Sequence, residues 1–136
     1  MSGSNTLIFL DTNFLLALSQ MINFNLSYEL DRVLPRKRTL IVLEPVFLEL
    51  QRLNLKGSPK VQMESRMAID FVHKFCEIMP TDFRHKNIDF ILLHYAEKYR
   101  NSNGIIATND RQLRRLARER KIKTLYIRSQ RFLELQ

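Results

Sequence analysis

Hydrophobic positions along this chain fall into two alternating patterns. Residues 7–10 (LIFL), 40–43 (LIVL), 105–107 (IIA) and 125–127 (LYI) are short, unbroken apolar runs bounded by polar or turn residues. Runs of that length suit strands buried on both faces, which is the mark of a parallel sheet. Between them lie helical patterns over residues 13–19, 28–34, 46–55, 61–75, 88–99 and 111–120. Within 46–55 the apolar residues stand at 46, 47, 50 and 53, the spacing of one helix face. Gly57-Ser58-Pro59 breaks the third pattern from the fourth. Residues 77–79 are a candidate short strand before Pro80, and the cluster NSNG at 101–104 ends the fifth helix, with Gly104 expected in the left-handed cap. Strands alternating with helices predict an α/β fold: a single three-layer domain over residues 1–136, with a central, mostly parallel sheet flanked by helices.

Set against this pattern, the carboxylates become informative. Asp11 stands where the first strand gives way to a helix, and Asp110 closes GIIATND, just past the strand at 105–107. Ligands of open α/β sheets bind in the crevice outside the carboxyl ends of the strands. Asp89 falls in the first turn of its helix, where the helix dipole favours an ionised acid and Asn87 can supply the cap. Glu49 sits about 40° from Leu53 on the helix after the second strand, at the border of the apolar stripe. Each acid also has a plainer role open to it: Asp11 and Asp110 as helix caps, Asp89 as a dipole partner, Glu49 as a surface acid. Glu44 and Asp82 lie close enough to strand ends to join or replace a member of the set. Asp31, Glu64, Asp70, Glu97, Glu119 and Glu134 occupy polar stretches with no strand end before them and are expected to be solvated.

Composition narrows the chemistry. The chain has 136 residues, 45% of them hydrophobic, and 22 Lys and Arg against 14 Asp and Glu, a formal charge of +8. Nine basic residues and one acid, Glu119, occupy 111–131, and Arg36, Lys37 and Arg38 form a second cluster with Arg32. Such a surface is either merely solvated or tracks phosphates, because concentrated positive charge gains by displacing counterions from a polyanion. No aromatic ladder interleaves the basic residues, so a base-stacking platform is not indicated. The lone cysteine, Cys76, excludes an internal disulfide framework and fits a reduced, cytoplasmic setting; within FVHKFCEIM it reads as packing. No apolar stretch approaches the roughly 20 residues of a membrane span.

Four carboxylates gathered at one sheet edge repel one another unless a cation lies among them. Hard divalent ions take oxygen ligands and keep several waters. An acidic site inside a strongly basic protein implies that the surface holds a polyanion while the acids hold metal against one phosphate. That arrangement is suited to phosphodiester hydrolysis. A phosphoacceptor receiver would need paired acids after the first strand and a Lys after the fifth, and this chain has one acid and Arg128. A dehalogenase-type phosphatase wants a second aspartate where Asn13 stands, and a Rossmann nucleotide binder needs more glycine than the three present.

Taken together, LIFLDTN (7–13), Glu49, DFILLHYA (89–96) and IIATNDRQLRRL (105–116) resemble a PIN-domain nuclease, with acids in the family's order Asp, Glu, Asp, Asp. The closing third, with TLYIRSQRFLEL, looks most like the archaeal and eukaryotic branch linked to ribosomal RNA processing. The resemblance implies a metal-dependent endoribonuclease in which Asp11, Glu49, Asp89 and Asp110 hold Mg²⁺ or Mn²⁺, directly or through water. Asn13 and Thr108 match positions of polar support, whereas Asn109 matches the motif without an assignable role. Arg111, Arg114, Arg115, Arg118, Arg36, Lys37 and Arg38 are the expected RNA contacts. Asp89 lacks the second adjacent acid often found there. With no zinc ribbon or other appended domain read in the chain, targeting falls to dimerisation, to ribosome-assembly partners or to an antitoxin. The apolar stretches 14–18 and 21–26 would pack within the domain or against a second copy. Two other readings stand beside this one: a toxin-type PIN ribonuclease of a toxin–antitoxin pair, and a catalytically inactive RNA-binding or assembly module.

Overall fold

A computed structural model describes residues 5–21 and 23–136, so Ile22, in the apolar stretch 21–26, lies outside the described residues. The strands are β1 (Thr6–Leu10), β2 (Arg38–Leu43), β3 (Glu77–Met79), β4 (Ile105–Ala107), β5 (Lys123–Arg128) and β6 (Phe132–Leu135). They form one sheet in the order β3-β2-β1-β4-β5-β6. The first five are parallel and β6 runs antiparallel to β5. The helices are α1 (Thr12–Ser19), α2 (Leu26–Val33), α3 (Glu44–Lys56), α4 (Pro59–Phe75), α5 (Ile88–Lys98) and α6 (Arg111–Glu119), with a short 3-10 turn at Arg100–Ser102.

The apolar runs form strands because both of their faces are covered. Ile8, Phe9, Leu10, Val42, Leu43, Ile105, Ile106 and Ala107 are all buried. Helix α4 packs on α1 and α3, α5 on β4, α6 on β5, and α2 on β6. Local chemistry sets the helix starts: side chains of Asp11, Asn25, Ser58, Asn87 and Asp110 each accept from a backbone N–H of the first turn. Pro45 and Pro59 occupy first-turn positions where a missing N–H costs little.

Two expectations need correction, and one strand was missed. The left-handed residue after α5 is Asn103, at φ 52°, and Gly104 has no positive φ. Glycine serves position 104 through proximity, because a Cβ there would lie 2.6 Å from the Ala96 carbonyl oxygen. Glu64 is not solvated: it is buried in α4, and its Oε2 has no hydrogen-bond partner among the described residues. Strand β6 went unread because its turn lacks the usual signal. Ser129 and Gln130 both take positive φ, at 55° and 54°, where hairpins usually place Asn or Gly.

Besides its pairing with β5, β6 is held by an acid on α2. Glu29 Oε1 accepts the Leu133 N–H at 2.8 Å, while Arg32, bonded to the same carboxylate at 2.9 Å, donates to the Leu133 carbonyl at 2.6 Å. The Arg32 hydrogen bond, foremost among the surrounding influences, draws the Glu29 carboxyl below its ordinary range.

The sheet order positions the site. From β1 the chain proceeds outward to β2 and β3, then returns to β4 on the other side of β1 and moves outward again. The β1–β4 seam is therefore the topological switch point, where connections diverge and leave a crevice at the carboxyl ends. Leu10 and Ala107 pair across that seam, one residue before Asp11 and three before Asp110.

Candidate functional site

Asp11 is drawn into the crevice by its cap and by β4. Its Oδ1 accepts the Thr12 N–H at 2.8 Å and its Oδ2 accepts the Thr108 hydroxyl at 2.7 Å. Its backbone N–H continues the sheet by donating to the Ala107 carbonyl at 2.9 Å. The side chain is buried, and that desolvation raises its pKa; the Thr108 and Thr12 hydrogen bonds oppose the rise, and the Asp110 charge adds to it.

Asp110 caps α6 with one oxygen, Oδ1, which accepts the N–H groups of Gln112 at 2.8 Å and Leu113 at 3.2 Å. Its own N–H donates to Thr108 Oγ1 at 3.1 Å. The Thr108 hydroxyl, fully buried, thus joins the two aspartates, donating to one and accepting from the backbone of the other. Asn13 stands beside it: its Oδ1 accepts the Asn109 N–H at 3.3 Å. Asn109, which the sequence left without a role, reaches the other way and accepts the Ile127 N–H at 2.9 Å, stitching the β4 end to β5.

Asp89 lies in the first turn of α5, its N–H bonded to Asn87 Oδ1 at 2.9 Å. Partial burial, and after it the charges of Asp11 and Asp110, push its pKa up to about 6. The three aspartates therefore share one electrostatic field. Glu49 enters from α3: an open cleft of about 500 Å³ is lined by Asp11, Thr12, Glu49, Lys86, Asn87 and Ile88. Arg52 already holds Glu49, Nη2 to Oε2 at 2.6 Å and Nε to Oε1 at 3.3 Å. Sequence reading missed Lys86, whose place opposite Asp11 depends on how the loop before α5 folds back.

Neither doubtful acid lines that cleft. Glu44 is exposed at the start of α3. Asp82 is spent on Tyr95, whose hydroxyl donates to Asp82 Oδ1 at 2.7 Å, a bond that lowers the Asp82 pKa. Cys76 follows the last turn of α4, and burial raises its thiol to about 12, far from the reactive range.

The basic residues divide into two groups at different ends of the sheet. Arg111, Arg115 and Arg118 are exposed and share one face of α6, which starts at Asp110. Arg114 turns onto the Tyr126 ring, its guanidinium 3.9 Å from the ring centre. Arg36, Lys37 and Arg38 lie at the amino end of β2, away from the aspartates, and Arg38 is paired with Asp31 at 2.7 Å.

Among the described residues, no three His, Cys, Asp or Glu side chains stand close enough to hold one ion together. The donor set nonetheless fits a hard, water-rich cation: all its donors are carboxylate oxygens, and such ions bind through one or two carboxylates while keeping several waters. The charge of Asp110 on Asp11, and of both on Asp89, is repulsion that a bound cation relieves. Among the described residues no helix is long and apolar enough to cross a membrane.

Comparison with known proteins agrees with this architecture. A family model described as a PIN like domain matches residues 8–130. The chain is 32% identical over 130 residues to "Ribonuclease VapC4" of Methanocaldococcus jannaschii, covering 92% of each protein. In fold it is similar to the PIN domain endonuclease Utp24, with a TM-score of 0.69 at 23% identity over 96% of this chain and 90% of that one. On the family match and the relative together, this chain belongs to the PIN domain family.

Proposed function

We propose that the protein is a metal-dependent endoribonuclease that hydrolyses RNA phosphodiester bonds at the β1–β4 crevice. The observation that carries this reading is the meeting of Asp11 and Asp110 through the Thr108 hydroxyl at the switch point of the sheet, with Glu49 across the cleft from Asp11 and Asp89 within reach of both aspartates' charges. The family and a 32% identical relative named a ribonuclease support it. A bound Mg²⁺ or Mn²⁺ would supply an acidified water and offset charge on the transferring phosphate.

One or two of Asp11, Asp110 and Asp89 would hold that ion directly and the rest, with Glu49 across the cleft, through water. Thr108 keeps Asp11 Oδ2 aimed and Asp110 in register. Asn13 steadies the loop that carries Thr108. Arg111, Arg115 and Arg118 hold the strand's backbone beside the crevice, and Lys86 faces the phosphate from the α5 side. Asp11→Asn should lose most of the several kcal/mol supplied by metal-assisted charge stabilisation while RNA binding in low salt survives. Cleavage of RNA with Mg²⁺ or Mn²⁺ at the parent rate by that variant would overturn the assignment.

Ribosomal RNA processing is the setting we favour, on the resemblance of residues 105–135. The 32% identical ribonuclease keeps a toxin-type enzyme held by an antitoxin as the second reading. Preferential cutting of a precursor ribosomal RNA over messenger and transfer RNA supports the first, and co-purification of a small inhibitory protein supports the second.

A further inference from the structure

At the opposite, amino edge of the sheet lies a cleft of about 380 Å³, lined in part by Arg36, Arg100, Lys121 and Lys123 and by no acidic residue. We infer that this cleft is a second phosphate site, which grips the backbone of an RNA strand after the strand has run along α6 from the acidic crevice. The polymeric ligand rests on the nuclease reading; the anion site itself rests on the cleft.

Like charges gathered in a concavity raise the energy of the empty site, and an anion relieves it. Elsewhere five arginines are matched to acids, Arg32 to Glu29, Arg38 to Asp31, Arg52 to Glu49, Arg120 to Glu97 and Arg128 to Glu134, whereas Arg66, Arg84, Arg111, Arg114, Arg115, Arg118 and Arg131 form no ion pair among the described residues. Arg36, Lys121 and Lys123 are exposed and have no ion pair among the described residues. Arg100 is tethered by a 2.7 Å bond to the Arg120 carbonyl and a 3.7 Å approach to Glu97, which fixes it at the rim. Lys121 takes a left-handed backbone, φ 60°, in the turn that ends α6, and Lys123 opens β5 two residues later.

The cleft is tied to the crevice by α6 itself. That helix begins at the cap Asp110, carries Arg111, Arg115 and Arg118 on one exposed face, and ends beside Lys121. Its nine residues span roughly 13 Å, so a single strand can contact both ends. Glu119 is the acid on this route. The chemistry recognised is the phosphodiester group; nothing in the cleft's lining selects a base.

The test measures binding of 2′-O-methyl RNA, which cannot be cut, by fluorescence anisotropy without divalent ion. It uses one oligonucleotide long enough to follow α6 and one too short to do so. Lys121→Asn with Lys123→Gln removes two charges, and Asn suits the left-handed turn; Arg36→Gln is a separate variant that leaves the turn untouched. For the long oligonucleotide, the double variant should weaken binding and make the log–log salt slope shallower by about 1.4, two contacts at about 0.7 each. The short one should bind parent and variants alike. Unchanged affinity and slope for the long oligonucleotide in all variants would overturn the inference. If tripolyphosphate shifts the amide resonances of Lys121 and Lys123 while RNA binding is indifferent to the variants, the cleft serves a free phosphate compound and the strand reading is overturned. Since nothing is cleaved in this assay, its failure leaves the hydrolytic assignment standing, and an active Asp11→Asn enzyme would leave this site standing.

Discussion

A single hydroxyl proton organises the acidic crevice. Thr108 Oγ1 is 2.7 Å from Asp11 Oδ2 and 3.4 Å from Asn13 Oδ1, and with one proton to give it favours the aspartate. Thr108→Val leaves a buried carboxylate short of a donor and the Asp110 N–H short of an acceptor. The expected cost is about 1–3 kcal/mol in urea unfolding, with a fall in cleavage that Thr108→Ser largely restores. Asp89 gives a pH prediction. Its folded pKa, about 6, stands above the ordinary 3.8, so its contribution to stability is full below about pH 4 and is lost as pH rises through 6. Mg²⁺ should therefore raise the melting temperature more at pH 7.5 than at pH 5.5, as scanning calorimetry would register. Asp11→Asn removes one raising charge but not the burial, so carboxyl NMR should find Asp89 titrating lower, though still above its ordinary range. Asp11 and Asp110 stood out because each lies within three residues of the end of an apolar run. Lys86 and the stitching by Asn109 did not, since both depend on contacts made only after the loops fold.

Among the elements, the long buried strands and capped helices could be read from periodicity alone, and β6 could not. Of its three apolar residues Leu133 and Leu135 pack on the core, held by pairing with β5 and by Glu29 on α2, which receives the Leu133 N–H from more than a hundred residues away. Removing that acceptor tests the point: Glu29→Ala should cost about 1–3 kcal/mol and speed amide exchange at Leu133 more than at Ile106. Gly104 shows the same limit from the other side. Its place in NSNG marked a helix end correctly, yet the need for glycine lies in the 2.6 Å approach to Ala96, which no local pattern encodes. Gly104→Ala should lower stability on the order of 1–3 kcal/mol, measured by thermal unfolding, because backbone must give way. Asn103→Ala should also destabilise, through its left-handed φ.

For the molecule as a whole, the formal charge of +8 is arranged rather than spread. Acids dominate the carboxyl edge at the β1–β4 seam, cations dominate the amino edge, and α6 runs between them. If about six phosphates are engaged, affinity for RNA should drop roughly a thousandfold between 50 and 200 mM salt, whereas a merely solvated surface would leave binding indifferent. Two separate basic clusters, 111–131 and 32–38, were visible in the sequence. That Arg36 of one and Lys121 and Lys123 of the other line a single cleft emerged only from the fold, whose strand order pairs β1 with both β2 and β4.

That seam has a consequence for the newly made protein. Asp11 is made 97 and 99 positions ahead of Thr108 and Asp110. Until β4 slots in beside β1, the growing chain has Asp11, Glu49 and Asp89 but neither the hydroxyl nor the fourth acid of the crevice, so the site proposed to cleave RNA is assembled only when that seam closes.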